Sequence, residues 1–196
     1  MSRSPGWRGY KPGQVPVAAT PTRVRSALTA VPVRILGIDP GSRATGFGVI
    51  EVGGGEPRYL ASGTIRASGT DLAGRLRQIH GGVVELLQTY APGEIAIERV
   101  FVNRNVDSAL KLGQARGAAL AATFSHPVEV FEYAPREVKL GVVGTGAAEK
   151  VQVQRMVSVL LGIKDRLGAD AADALAIALC HAHGRASRLH VARVPA

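Results

Sequence analysis

Val33-Arg34-Ile35-Leu36-Gly37-Ile38-Asp39-Pro40-Gly41-Ser42, running on to Thr45-Gly46-Phe47-Gly48-Val49-Ile50, is the stretch from which the rest of the chain can be read. Val33, Ile35, Leu36 and Ile38 form an apolar run of strand length and β-branched content. Asp39 then meets Pro40-Gly41, a dipeptide in which proline fixes φ and glycine admits positive φ, so the chain turns. A second strand returns over residues 45–50, and its Gly46 and Gly48 leave room for a close backbone or phosphate approach. Asp39 on its own reads equally well as a turn opener. Three further acids, placed in the same manner later in the chain, change that balance.

Length and composition set the outer bounds. With 196 residues the chain can build one domain with a proper core. Its apolar runs are too short to span a membrane. The formal net charge is +9, and nineteen of the 24 basic residues are arginine. The planar guanidinium suits bidentate phosphate contacts, so a polyanionic partner is the leading inference. Cys180 is alone in an alanine-rich stretch, which excludes disulfides and a cysteine metal site and fits a reducing compartment.

Residues 1–32 hold five of the eleven prolines and no acidic residue, which predicts a basic, disordered tail. A weak electrostatic grip on nucleic acid suits it best. A transit peptide, or a true start of translation near Val31 or Val33, are the other readings. The folded domain is expected over 33–184, with a basic tail over 185–196. A third strand is expected over Arg58–Arg66. Thr70 can then cap a helix whose apolar stripe is Leu72, Leu76, Ile79, Val83, Leu87 and Tyr90, with Arg75 and Arg77 on its polar side. Glu94–Val100 reads as a fourth strand and Val128–Tyr133 as a fifth. Between them lies a helix over 106–124, rich in small residues, that suits either close core packing or a self-complementary dimer contact. Pro135 starts a short helix, a glycine-rich loop spans Gly141–Gly146, and Glu149–Leu161 is a further helix ended by Gly162. The last helix, from Asp170 to His183, is apolar nearly all round and should be buried. The fold class is therefore α/β, with a five-stranded mixed sheet: three antiparallel strands first, then two that need helical crossovers and run parallel to the first.

Glu98 interrupts an apolar strand, with Ile95 and Ile97 on one face and Ala96 and Glu98 on the other. Arg99 points away from it and is a poor ion-pair partner. Asp170 and Asp173 stand three apart and share a helix face. Capping through the helix dipole accounts for one aspartate there, but not readily for two. Parallel strands set Asp39 and Glu98 side by side. Four carboxylates in a partly dry site resist ionisation unless cations compensate them. Hard oxygen donors favour Mg2+ or Mn2+, and a pair of such ions about 3.5–4 Å apart is the usual device for phosphodiester hydrolysis.

Gly37-Ile38-Asp39-Pro40-Gly41, Ile97-Glu98-Arg99-Val100-Phe101, Asp107 to Gly117 and Ala169 to Ala176 together closely resemble the RuvC family of Holliday-junction resolvases, in order, over residues 33 to about 184. The resemblance implies an RNase H-like fold, a homodimer, and Mg2+-dependent nicking of two strands of like polarity across a four-way DNA junction, leaving nicked duplexes that ligase can seal. It makes Asp39, Glu98, Asp170 and Asp173 the catalytic acids and metal ligands for two Mg2+ per site, with Mn2+ able to substitute, and Asp39 the bridge between them. It places Phe101 against an unpaired base, and Arg104, Lys139 and Lys150 on DNA phosphates. The helix over 106–124, through Ala109, Leu112, Ala115 and Ala119, is the candidate dimer contact. A cytoplasmic, nucleoid-associated location and docking to the branch-migration proteins RuvA and RuvB are also implied. Some relatives carry histidine at the third acidic position, where this chain has Asp170. His183 is a further candidate for a proton or phosphate contact, or simply a solvated helix end.

Three other functions compete. A sugar kinase or actin-like ATPase shares the Asp-x-Gly turn but needs two such domains. A nuclease acting on RNA shares the opening motif and the metal chemistry. A junction-binding protein without catalysis needs none of the four acids, and all four are present.

Overall fold

The computed structural model describes residues 31–53, 55–100 and 106–191. The N-terminal tail up to residue 30, together with Phe101 and Arg104, lies outside them. The elements follow one another as β1 (Val33–Asp39), β2 (Ala44–Val52), β3 (Arg58–Arg66), α1 (Leu72–Tyr90), β4 (Glu94–Glu98), α2 (Val106–Ala121), β5 (Glu129–Tyr133), α3 (Pro135–Val143), α4 (Lys150–Leu160) and α5 (Ala169–Val191). The sheet order is β3-β2-β1-β4-β5. β1, β2 and β3 form the expected antiparallel meander, and β4 and β5 run parallel to β1.

Alternation along β1 explains the two layers of helices. Leu36 and Ile38 point into a core shared with Ile79, Val83 and Leu87 of α1 and Ala115 and Ala119 of α2. Ile35 points the other way, into a core with Leu175, Ile177 and Leu179 of α5. On this second face Gly37, Gly46 and Gly48 form a lane without side chains. A Cβ on Gly37 would land on the Ala174 carbonyl oxygen, one on Gly46 on the Asp170 carbonyl, and one on Gly48 on the Leu175 side chain. The sheet glycines therefore serve the backbone approach of a helix. α5 lies across the sheet, and its head is fixed against β2.

The far end of α5 is tied as well. Buried His181 contacts the Tyr133 hydroxyl through Nδ1 at 2.6 Å and Glu94 Oε2 through Nε2 at 2.6 Å. Arg185 Nε donates to Glu94 Oε1 at 2.8 Å. Burial alone would raise the Glu94 carboxyl, but the Arg185 and His181 hydrogen bonds outweigh it and hold the group below its ordinary range. Glu94 opens β4, so this tie sits at the opposite end of the strand from Glu98.

Several expectations need correcting. Asp71, not Thr70, caps α1, its carboxylate accepting from Ala73 N and Gly74 N. Arg75 is buried at 6% exposure rather than lying on the polar side. It stands four residues before Ile79 and so shares the buried face. Ala115 and Ala119 are fully buried against the chain's own core, so they cannot line a dimer surface. β4 stops at Glu98, and α3 continues through Gly141 to end at the left-handed Gly144. α5 runs on to Val191, so residues 185–191 continue a helix where a tail was expected.

Candidate active site

Asp39 closes β1 opposite Gly46 of β2. The parallel register Ile38↔Ile97 puts the next pair, Asp39 and Glu98, side by side at the carboxyl ends of adjacent strands. α5 brings the other two acids. Because Asp170 rests on Gly46, the first turn of the helix sits over β2, and Asp173 one turn on faces Asp39 and Glu98. Thr64 of β3 donates from Oγ1 to Asp170 Oδ2 at 3.4 Å. Lys150, the first residue of α4, pairs with Asp173 Oδ2 at 2.5 Å.

Asp39, Glu98 and Asp173 line a cleft of about 230 Å³ together with Lys139 and Lys150. Val138, Val153, Ala176 and Ile177 supply its apolar floor. Partial desolvation by that floor, then the charges of Glu98, Asp173 and Asp170, push Asp39 up to about 7, with Lys150 opposing. Burial, followed by the charge of Asp173, raises Glu98 too, again against Lys150. The hydrogen bond to Asp173, aided by the charges of Asp173, Asp39 and Asp170, in turn raises Lys150 despite its own partial burial. A lysine ammonium is thus the cation that these carboxylates share.

The donor set suits a hard divalent ion: carboxylate oxygens, with no sulfur and no imidazole among them. Among the described residues no three acids converge into a ready-made cage. Asp173 is paired with Lys150, and Asp170 accepts from Thr64. Mutual repulsion between Asp39 and Glu98, answered only by an ammonium, is the electrostatic signature of a site that accepts further positive charge. The residues fit the metal.

Of the residues singled out from sequence, Asp39, Glu98, Asp173, Lys139 and Lys150 share the cleft, and Asp170 flanks it. Arg99 points away from Glu98 and pairs with Glu137 at 2.6 Å. His183 donates through Nδ1 to the Gly141 carbonyl at 2.8 Å and does not line the cleft. Thr64 was not foreseen. It belongs to an ordinary Ser62-Gly63-Thr64 strand segment, and only the crossing of α5 over β3 gives it a role. Arg116 was also missed; its Nε donates to the Glu98 carbonyl at 3.2 Å and steadies the end of β4.

Comparison with known proteins agrees with this geometry. A family model described as crossover junction endodeoxyribonuclease RuvC matches residues 35–181. A crossover junction endodeoxyribonuclease RuvC from Hahella chejuensis is 55% identical over 162 residues, covering 83% of this chain and 94% of that protein. The structure of Thermus thermophilus RuvC in complex with a Holliday junction substrate superposes with a TM-score of 0.75 at 38% identity, covering 80% of this chain and 96% of that one. A yeast mitochondrial Holliday junction resolvase, Ydc2, shares the fold at a TM-score of 0.57 and 14% identity, covering 81% of this chain and 82% of that one. With its RNase H-like sheet and its four acids at the strand ends and helix head, the chain belongs to the RuvC family of crossover junction endodeoxyribonucleases.

Proposed function

We propose that this chain resolves four-way DNA junctions by metal-dependent hydrolysis, as a homodimer that makes paired, symmetric nicks. The observation that carries the reading is the placement of Asp39 and Glu98 at adjacent strand ends in one cleft with Asp173, while Asp170, one turn earlier at the head of the same buried helix, flanks it. These four acids would hold two Mg2+ per site, with Mn2+ able to substitute, and Asp39, on the central strand, would be among the ligands. Bound there, the cations would supply Lewis-acid stabilisation of charge developing on the phosphate. The chain's own residues do the rest. Rigid strand ends orient the carboxylates, and the apolar floor limits water around them. With the carboxylates neutralised, Lys150 would be free to contact a phosphate oxygen, and Lys139 faces the same cleft. Phe101 for base stacking and Arg104 for phosphate contact are proposed on the resemblance alone, as are RuvA and RuvB as partners.

The test is a labelled synthetic four-way junction incubated with wild type and Asp39→Asn, in Mg2+ and in EDTA. Symmetric nicks in Mg2+, absent in EDTA and reduced at least 100-fold in the variant while junction binding persists, are expected. Binding without nicks in either Mg2+ or Mn2+ would leave a junction-binding protein. Cleavage of RNA hybrids in preference to junctions would move the assignment to RNA.

A further inference from the structure

The last carbonyl of β4 lacks a partner in the sheet. Arg99 N donates to the Tyr133 carbonyl at 2.8 Å, so at that residue the main chain faces β5. Peptide groups alternate along a strand, and those of Glu98 therefore face β1. The parallel register Ile38↔Ile97 makes Asp39 the next neighbour of Glu98, and the Glu98 carbonyl would accept from the amide one residue further on. That residue is Pro40, which has no N–H. The turn that sets Asp39 at the end of its strand thus leaves the neighbouring acid with an open carbonyl.

Arg116 of α2 fills the place. Its Nε donates to the Glu98 carbonyl at 3.2 Å, and its Nη2 to Glu132 Oε1 on β5 at 2.5 Å. Glu132 pairs in register with Ile97, so the guanidinium spans the ends of β4 and β5. The adjoining Ala115 is fully buried, and the arginine side chain is itself only 20% exposed. α2 and α5 pack on opposite faces of the sheet. Arg116 therefore holds the Glu98 main chain from one face, while the carboxylate lines the cleft on the other with Asp39 and Asp173.

We infer that Arg116 is a positioning residue for the metal site: it replaces the amide that Pro40 lacks, fixes the end of β4, and so aims the Glu98 carboxylate at the cations. Its bonds run to the main chain and to Glu132, so it acts through Glu98. Groups that orient a metal ligand from outside the coordination shell are commonly worth about 10–100-fold in metal affinity. The inference rests on the metal-dependent nuclease reading above and adds a residue that supports one of its ligands.

The measurement is Mg2+ affinity without DNA, read from thermal unfolding as Mg2+ is titrated, each protein against its own melting point in EDTA. Wild type is compared with Arg116→Gln and Arg116→Met. Both substitutions remove the charge and are of similar size, so neither charge nor bulk separates them. Gln keeps a donor nitrogen at the place of Nε along the side chain, and Met has none. Arg116→Met should need roughly tenfold more Mg2+ or beyond for the same stabilisation, and Arg116→Gln less than about threefold more. Junction binding in EDTA should be alike in the two variants. Cleavage at limiting Mg2+ should follow the metal affinity and recover as Mg2+ is raised. Should Arg116→Met fail to fold, Arg116→Ala, also without a donor, takes its place in the comparison. Equal Mg2+ affinities with and without the donor would overturn the inference and leave the nuclease intact. Wild type that neither responds to Mg2+ nor nicks the junction would instead overturn the reading on which it rests.

Discussion

Asp39 carries a folded-state pKa of about 7 against an ordinary value of 3.8, because desolvation and the neighbouring acids penalise its charge. Between those values the folded state holds a proton that the unfolded state has lost, so metal-free stability falls as pH rises from about 4 and levels off past about 7. Replacement by neutral asparagine removes the penalty. In EDTA, Asp39→Asn should therefore melt with wild type at the acid end and above it at pH 8, by on the order of 2–4 kcal/mol. Excess Mg2+ should reverse the order, since a cation stabilises only the protein that keeps its carboxylate. Calorimetric scans across that pH range, with and without Mg2+, check both signs. A pH-independent gap in EDTA would mean that Asp39 is not the strained acid that its surroundings imply.

α5 is the element that converts the fold into a site, and it does so through glycine. Gly46→Ala would drive a methyl group into the Asp170 carbonyl. The helix head would have to lift, costing about 1–3 kcal/mol of stability and displacing both aspartates. Urea unfolding with a parallel junction-cleavage assay should show activity lost well beyond what the destabilisation accounts for. Gly81→Ala, on an exposed interior position of α1 with open space at its Cβ, should leave cleavage unchanged and raise stability by about 0.5–1 kcal/mol through helix propensity. Much of this was legible beforehand. An acid at the end of an apolar strand, an acid breaking another, and two acids on one turn of an apolar helix each violate a local pattern, and such violations collect at sites. The glycines announced a close approach, but sequence left backbone and phosphate as equal choices; the path of α5 decides it. Arg75 was misread because a charged residue at the rim of an apolar stripe looks solvated. Its burial depends on three carbonyls, two from the loop just before its own helix and one, that of Ser42, 33 residues earlier. Thr64 gave no signal at all, since its partner is 106 residues away.

The proposed homodimer would need two sites held in a fixed relation, and the outer face of α2 is the surface we propose for that contact. The small residues of this helix divide between two faces. Ala115 and Ala119 allow α2 to approach its own core. Leu110, Gly113 and Gly117, with Val106 before them and Phe124 just past the helix, recur at steps of three, four and seven on the outer face. Val106, Leu110 and Phe124 are 62%, 63% and 83% exposed, and a Cβ at Gly113 or Gly117 would meet nothing. An apolar stripe interrupted by glycines, in a chain of net charge +9, is what a self-complementary helix contact requires: side chains from one copy fill the glycine gaps of the other. Leu110→Asp should therefore raise the dimer dissociation constant at least tenfold, about 1.4 kcal/mol, because the contact brings two like charges together across the axis. The position is solvent-exposed in the single chain, so the fold should be spared and thermal melting should stay within a few degrees. Sedimentation equilibrium measures the first effect. A junction assay that separates single from double nicks measures the consequence: the variant should still nick in Mg2+ but accumulate singly cut junctions, since its two cuts are no longer made within one complex. A variant that stays dimeric and makes paired cuts would move the contact off α2.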